Sequence, residues 1–209
     1  MEIRIRSTGA VVSEREFRQL HSATNLPSRL PLEMIQSLGG DVVLASPAPE
    51  VGEYQTAARD GVVQDDLENW VYKWTVIDWP KEQIDAAVAS AKSSKNTQIN
   101  EWRAQANQSY FTHEGKQVAC DALSRSDIDG VAGSISLTGG FPVGFPNVWK
   151  AMDNTYIAIP DVDAFKAMYN SMTLQGALNF DRAQKLKAKL EAATSLSEIN
   201  AINWEMPLE

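Results

Sequence analysis

The stretch "NWVYKWTVIDWPKEQIDAAVASAKSSKNTQINEWRAQANQ", residues 69–108, decides the fold. Up to Pro80 it alternates. Trp70, Tyr72, Trp74 and Val76 share one parity, and Val71, Lys73, Thr75 and Ile77 share the other, which is the period of a β-strand. Beyond Pro80 the chain has no Gly or Pro through Gln108 and is rich in Ala, Lys, Gln and Glu, a helix-forming composition. Apolar residues fall at Ile84, Val88, Ala91, Ile99, Trp102 and Ala106, and Lys95 fills the gap. These steps of three and four make a narrow, heptad-like seam. A strand therefore ends at Pro80 and a helix of roughly 40 Å follows it. A seam this narrow suits packing against another helix, from this chain or from a symmetry mate.

Working back from Pro80, residues 54–79 read as an antiparallel β-meander with one nearly all-aromatic face. A core face packed on two short helices is the ordinary account of that face, and an exposed aromatic binding face is the alternative. "EIRIRST" alternates like a short strand. "SEREFRQLHSA" opens with Ser13 and has Glu16 three residues later, the signature of a capping box. In "LPSRLPLEMIQSLGGDVVLASPAPE", Pro31 suits a helix start, Gly39–Gly40 a helix stop, and "DVVLAS" a strand.

Working forward, "YFTHEGKQVACD" patterns as a hairpin turning at "HEGK". "SRSDIDGVAGSISLTGG" places Ile128, Val131, Ala132 and Ile135 at helical spacing before Gly139–Gly140. "GFPVGFP" is an irregular loop, and "WKAMDNTYIAI" is a second hairpin turning at Asp153–Asn154. Asp161 caps a second long helix running to about Thr194. Its apolar line is Phe165, Met168, Met172, Leu178, Leu186 and Leu190, with Gly176 a weak point. "SLSEINAINW" is a final short turn. The expected class is α+β, with a small N-terminal mixed domain (residues 1–80), a long connecting helix (81–108) and a mostly helical domain with short hairpins (109–209).

Composition narrows the function. The chain has 27 acidic against 19 basic residues and a formal net charge of −8. Its densest basic cluster, Lys185, Lys187 and Lys189, is diluted by Asp181 and Glu191. That is no footprint for nucleic acid, which needs a basic stripe to displace counterions. The one cysteine cannot form an internal disulfide. No apolar run resembles a signal peptide, and none reaches the ~18 residues of a membrane span.

The reactive letters gather in residues 111–121, "FTHEGKQVACD", which hold His113, Glu114, Cys120 and Asp121. With His21 the only other histidine, there are too few ligands at a defensible spacing for zinc. Cys120 and His113 could form a dyad if they were cross-strand neighbours. An unpaired cysteine of core parity is more often a small buried hydrophobe. The pairs Asp127/Asp129 and Asp161/Asp163 read as helix-start acids that complement the dipole. No phosphate-binding glycine motif occurs. No catalytic, cofactor-binding or metal-binding residue is assigned, and no cofactor is expected.

Residue order carries a resemblance instead. "NLPSRLPLEMIQSLGGDVVLASPAP" followed by "NWVYKWTVIDWP" resembles small phage proteins encoded beside tail-fibre genes. The second half resembles the uncharacterised helical domain at the C-terminus of phage tail proteins from that neighbourhood. The matching features there are "YFTHEGKQVACD", "SDIDGVAGSI", "WKAMDN", "IPDVDAF" and "SLSEINAINW". The resemblance implies a non-enzymatic structural role in a bacteriophage tail, at the fibre or baseplate periphery. It implies other tail proteins as partners, a homo-oligomer such as a trimer, synthesis in the host cytoplasm and residence in the virion tail. A fibre-assembly chaperone left out of the virion is the alternative.

Overall fold

The computed structural model describes residues 1–208. The chain divides into two compact units, Met1–Ile84 and Asp85–Glu209.

The first unit is built on a five-stranded sheet. Strands β1 (Glu2–Ile5), β2 (Val11–Ser13), β3 (Gly40–Leu44), β4 (Gln55–Gln64) and β5 (Trp70–Asp78) lie in the order β2-β1-β3-β5-β4. β1 is antiparallel to both β2 and β3, β4 and β5 form an antiparallel hairpin, and β5 runs parallel to β3. Asp60 and Gly61 interrupt the β4–β5 register opposite Lys73, and Gly61 takes a φ of 80°. The result is a bulge that tightens the local twist.

Helix α1 (Glu14–Leu20) starts at the expected capping box. The Glu16 amide donates to Ser13 Oγ at 3.2 Å, and the Ser13 amide donates to Glu16 Oε2 at 2.8 Å. Helix α2 (Leu32–Ser37) has Pro31 as its N-cap. Gly39, with φ 79°, ends the helix, whereas Gly40 already belongs to β3. Both helices bury one face against Ile3, where Phe17, Leu30 and Ile35 complete a small core flanked by Val12 and Val42.

Helix α3 (Lys81–Asn107) begins in the last residues of the first unit and continues into the second, which adds hairpin β6–β7 (Tyr110–His113, Lys116–Ala119), helix α4 (Ala122–Thr138), hairpin β8–β9 (Val148–Lys150, Tyr156–Ala158), helix α5 (Val162–Ala192) and helix α6 (Leu196–Ala201). At 31 residues α5 is about 46 Å long, and it runs unbroken through Gly176. It is a spine for two cores. Its N-terminal half puts Phe165, Met168 and Met172 among Phe111, Val118, Cys120, Ile128, Ile157 and Ile159. Its C-terminal half puts Ala183, Leu186 and Leu190 against Ile99 of α3 and Ile199 and Ile202 at α6.

One open alternative is decided here and one expectation changes. The α3 seam is filled by this chain, since Val88, Ala91, Ile99 and Trp102 pack on α5 and α6. Lys95, the polar centre of that seam, donates to the Ile202 carbonyl at 3.1 Å. These middle seam positions face this chain's own helices. On α5, Leu178 is exposed and Asn179 takes the inward position. The buried series 165, 168, 172, 179, 183, 186, 190 keeps helical steps with Gln175 in the gap, and period overrides hydrophobicity at that turn.

Candidate functional site

The hairpin that concentrates the reactive side chains pulls them apart. Its two turn residues, Glu114 and Gly115, have φ values of 49° and 75°, as a two-residue type I′ turn requires. The register pairs His113 with Lys116 at the turn end and Tyr110 with Ala119 at the open end, just before Cys120. Three strand residues span about 10 Å, so His113 and Cys120 sit at opposite ends of the ladder. They are not the cross-strand neighbours a dyad needs.

His113 and Asp121 each have a structural partner. His113 Nδ1 lies 2.9 Å from Ser171 Oγ, and that hydroxyl donates to the Ala167 carbonyl at 3.1 Å. The His113–Ser171 pair ties the hairpin to α5. Asp121 is the N-cap of α4. It accepts from Ser124 Oγ at 2.7 Å and from the Leu123 and Ser124 amides at 3.0 and 3.1 Å, which hold its carboxyl below the ordinary range. Asp127 and Asp129 consequently fall beyond the first turn of α4, and Asp129 forms a 4.0 Å pair with Arg125 one turn away. Asp161 does cap α5, accepting from the Ala164 amide at 2.8 Å.

Cys120 is buried, and desolvation pushes its thiol pKa up despite Arg125 nearby. Thiolate chemistry is disfavoured there. An aromatic disulfide reagent at about pH 8 is expected to leave the native thiol unmodified for as long as it takes to label the denatured chain fully. Labelling of the native protein at the denatured rate would overturn this assignment. Among the described residues no group of three or more His, Cys, Asp or Glu side chains could hold a metal ion.

The surface with the most unusual chemistry is in the first unit, where the aromatic face of β5 does not form the core. The ladder registers put Ile3 beside Val12 and Val42 on the helix-covered side. Glu2, Val43 and Trp70 therefore belong to the other side. Trp70, Tyr72 and Trp74 are half-buried there. The Arg4 guanidinium sits over Trp70 at 3.9 Å and that of Arg59 over Tyr72 at 3.6 Å. Arg59 also pairs with Glu2 at 2.6 Å, holding that carboxyl below its usual range, while Arg4 faces Asp41 at 3.7 Å. Trp74 Nε1 donates to Ser46 Oγ at 3.1 Å, fastening the segment after β3 to the same face. Alternation revealed a two-faced strand. Which face turned inward depended on where two helices of seven and six residues docked.

The fold defines a two-unit α+β protein with an aromatic–arginine sheet face and a helical unit built on one long spine. The chain belongs to the family described as a domain of unknown function (DUF4376), whose model matches residues 90–203, more than half of the chain. The match covers most of the helical unit, from within α3 to just past α6, and leaves the N-terminal sheet outside it. No curated protein and no solved structure matches the chain.

Proposed function

We propose that this chain is a non-enzymatic structural component of a bacteriophage tail, acting by protein–protein association at the tail fibre or baseplate periphery. It would be made in the host cytoplasm and carried in the virion tail. The observation that supports an association role is the aromatic–arginine face of the N-terminal sheet. Trp, Tyr and Arg are the residue types that dominate binding energy at protein interfaces, because the aromatic rings bring large rigid area and the guanidinium a planar fork of hydrogen-bond donors. Here Trp70, Tyr72, Arg4 and Arg59 are prearranged in stacked pairs on a surface the unit's own helices leave uncovered. The tail setting rests on the resemblance of residues 25–80 and of the helical unit to tail-region proteins. A homo-oligomer, such as a trimer, would use surfaces other than the α3 seam.

The test is to place Tyr72→Ala/Arg59→Glu in a phage encoding this chain and to quantify the chain in purified particles by mass spectrometry. Wild-type chain is expected in the particles, and the variant is expected to fall by at least tenfold while the purified variant keeps its far-UV circular dichroism. Wild-type chain absent from particles but bound to fibre protein in the lysate would replace this reading with the assembly chaperone. Undiminished incorporation of the variant would remove the sheet face from the account.

A further inference from the structure

A second feature, independent of the tail reading, lies in the helical unit between its two cores. There α3 ends, hairpin β6–β7 begins and the C-terminal segment returns, leaving a cleft of about 580 Å³ beside the middle of α5. That volume falls within the range typical of small-molecule sites. Its walls include Trp102, Tyr110, Trp204, Gln175, Asn179 and Glu205.

The core gap explains why a cleft forms here, but not why it is lined this way. Among the described residues Asn179 is the one buried polar residue, 6% exposed, in a series of otherwise apolar buried positions on the spine. Its Nδ2 donates to Asn107 Oδ1 at 2.9 Å, and its Oδ1 accepts from Gln175 Nε2 at 3.2 Å. A carboxamide has two donor hydrogens and two acceptor lone pairs. Both polar atoms of this buried amide thus have a protein partner, each with room for one more hydrogen bond, and the residue lines the cleft. The Asn107–Asn179–Gln175 chain therefore presents a fixed row of carboxamides at the cleft wall.

The aromatic walls are held in place. Arg182 Nε donates to the Trp204 carbonyl at 2.5 Å and Nη2 to the Met206 carbonyl at 2.9 Å, pinning the C-terminal segment. The same guanidinium lies 5.6 Å from the Trp204 ring, and Lys95 Nζ lies 5.5 Å from that of Trp102. Neither cation lines the cleft, and no other Lys or Arg does, while Glu205 does. An anionic ligand would meet a carboxylate and no counter-charge. A ligand with apolar C–H faces for the rings and hydroxyls for the amides and carboxylate matches every wall.

We propose that this cleft binds a neutral saccharide of one or two sugar units. Indole and phenol rings take the C–H face of a pyranose, and paired amides and a carboxylate satisfy neighbouring hydroxyls in both directions.

Saturation-transfer difference NMR with maltose, lactose, chitobiose and xylobiose, and with sialyllactose as the anionic control, tests the proposal. At least one neutral probe is expected to give saturable transfer concentrated on its ring C–H protons. Affinity should fall at least tenfold in Trp204→Ala. Should Trp204→Ala lose its folded circular dichroism, Ser109→Trp, which places bulk in the cleft from an exposed lining position, decides the matter and should abolish transfer. Absence of saturable transfer for all four neutral probes would leave water as the only occupant of the cleft and overturn the proposal. Transfer unchanged in Ser109→Trp would place the binding elsewhere and overturn it equally. Sialyllactose binding tighter than lactose would overturn the assignment of a neutral ligand.

Discussion

Replacing Phe165 with Ala is expected to destabilise the helical unit by roughly 3–5 kcal/mol, the range for truncating an aromatic side chain in a closed core. Phe165 is 1% exposed and sits one turn into α5, where the spine enters the first of its two cores. Its ring is edge-on to Phe141 at 6.2 Å and lies 6.2 Å from Trp149 and 6.4 Å from Tyr169. Phe141 in turn stacks on Phe145 at 4.3 Å, so the irregular "GFPVGFP" loop is held to the core through this side chain. Truncation removes the transfer free energy of the ring, leaves a cavity among neighbours on the loop, β8 and α5, and forfeits three aromatic pairs. The readout is the thermal midpoint by circular dichroism, expected to fall by more than about 10 °C. A fall within about 2 °C would show that the loop collapses into the gap and that the aromatic cluster is not a fixed core.

The second large effect is expected from adding one methyl group. Gly40→Ala would place a Cβ 2.8 Å from Ile3 Cγ2, 2.8 Å from Ile35 Cγ2 and 2.9 Å from Phe17 Cε2. All three neighbours are fully buried, and together they are most of the first unit's core. None is the free end of a flexible chain, so β3 must move away from α1 and α2 or the side chains must leave their rotamers. Overpacking of this kind costs about 1–3 kcal/mol, and three simultaneous clashes put it at the upper end. Urea unfolding measures it, with a lowered midpoint at unchanged slope. Gly40→Ala/Ile35→Leu should recover part of the loss, because leucine carries no Cγ2 branch on Cβ. A Gly40→Ala midpoint equal to wild type would overturn the steric account.

The contrast between these sites shows what was legible. The helix stop at "LGG" was readable, since a glycine after a periodic helix marks a left-handed cap, and Gly39 adopts one. The second glycine of the pair serves a different need, close approach of β3 to two helices, and nothing local distinguishes the two roles. The Ser13 capping box, the "HEGK" and "DN" turns and the Asp161 cap were likewise readable. Each depends on hydrogen bonds or φ angles within a few residues.

Matters that depend on distant partners were not readable. The α3 seam was evident from its spacing, but whether this chain or another copy filled it depended on the return path of α5. The inward position of Asn179 required period to be preferred over hydrophobicity. Only the Asn107 amide across the helix pair makes that polar choice intelligible.

The sequence by itself determined the order and type of most elements, β2 excepted, and the break at Pro80. These rest on local periodicity and capping chemistry. Tertiary structure alone decided that the aromatic face of β5 turns outward beneath stacked arginines, that His113 and Cys120 stand at opposite ends of their hairpin, and that Asn179, two tryptophans and a carboxylate meet in one cleft. The physical reason is common to all three. A side chain's parity fixes which of two faces it occupies, but docking free energy, summed over contacts far apart in sequence, selects the face that is buried.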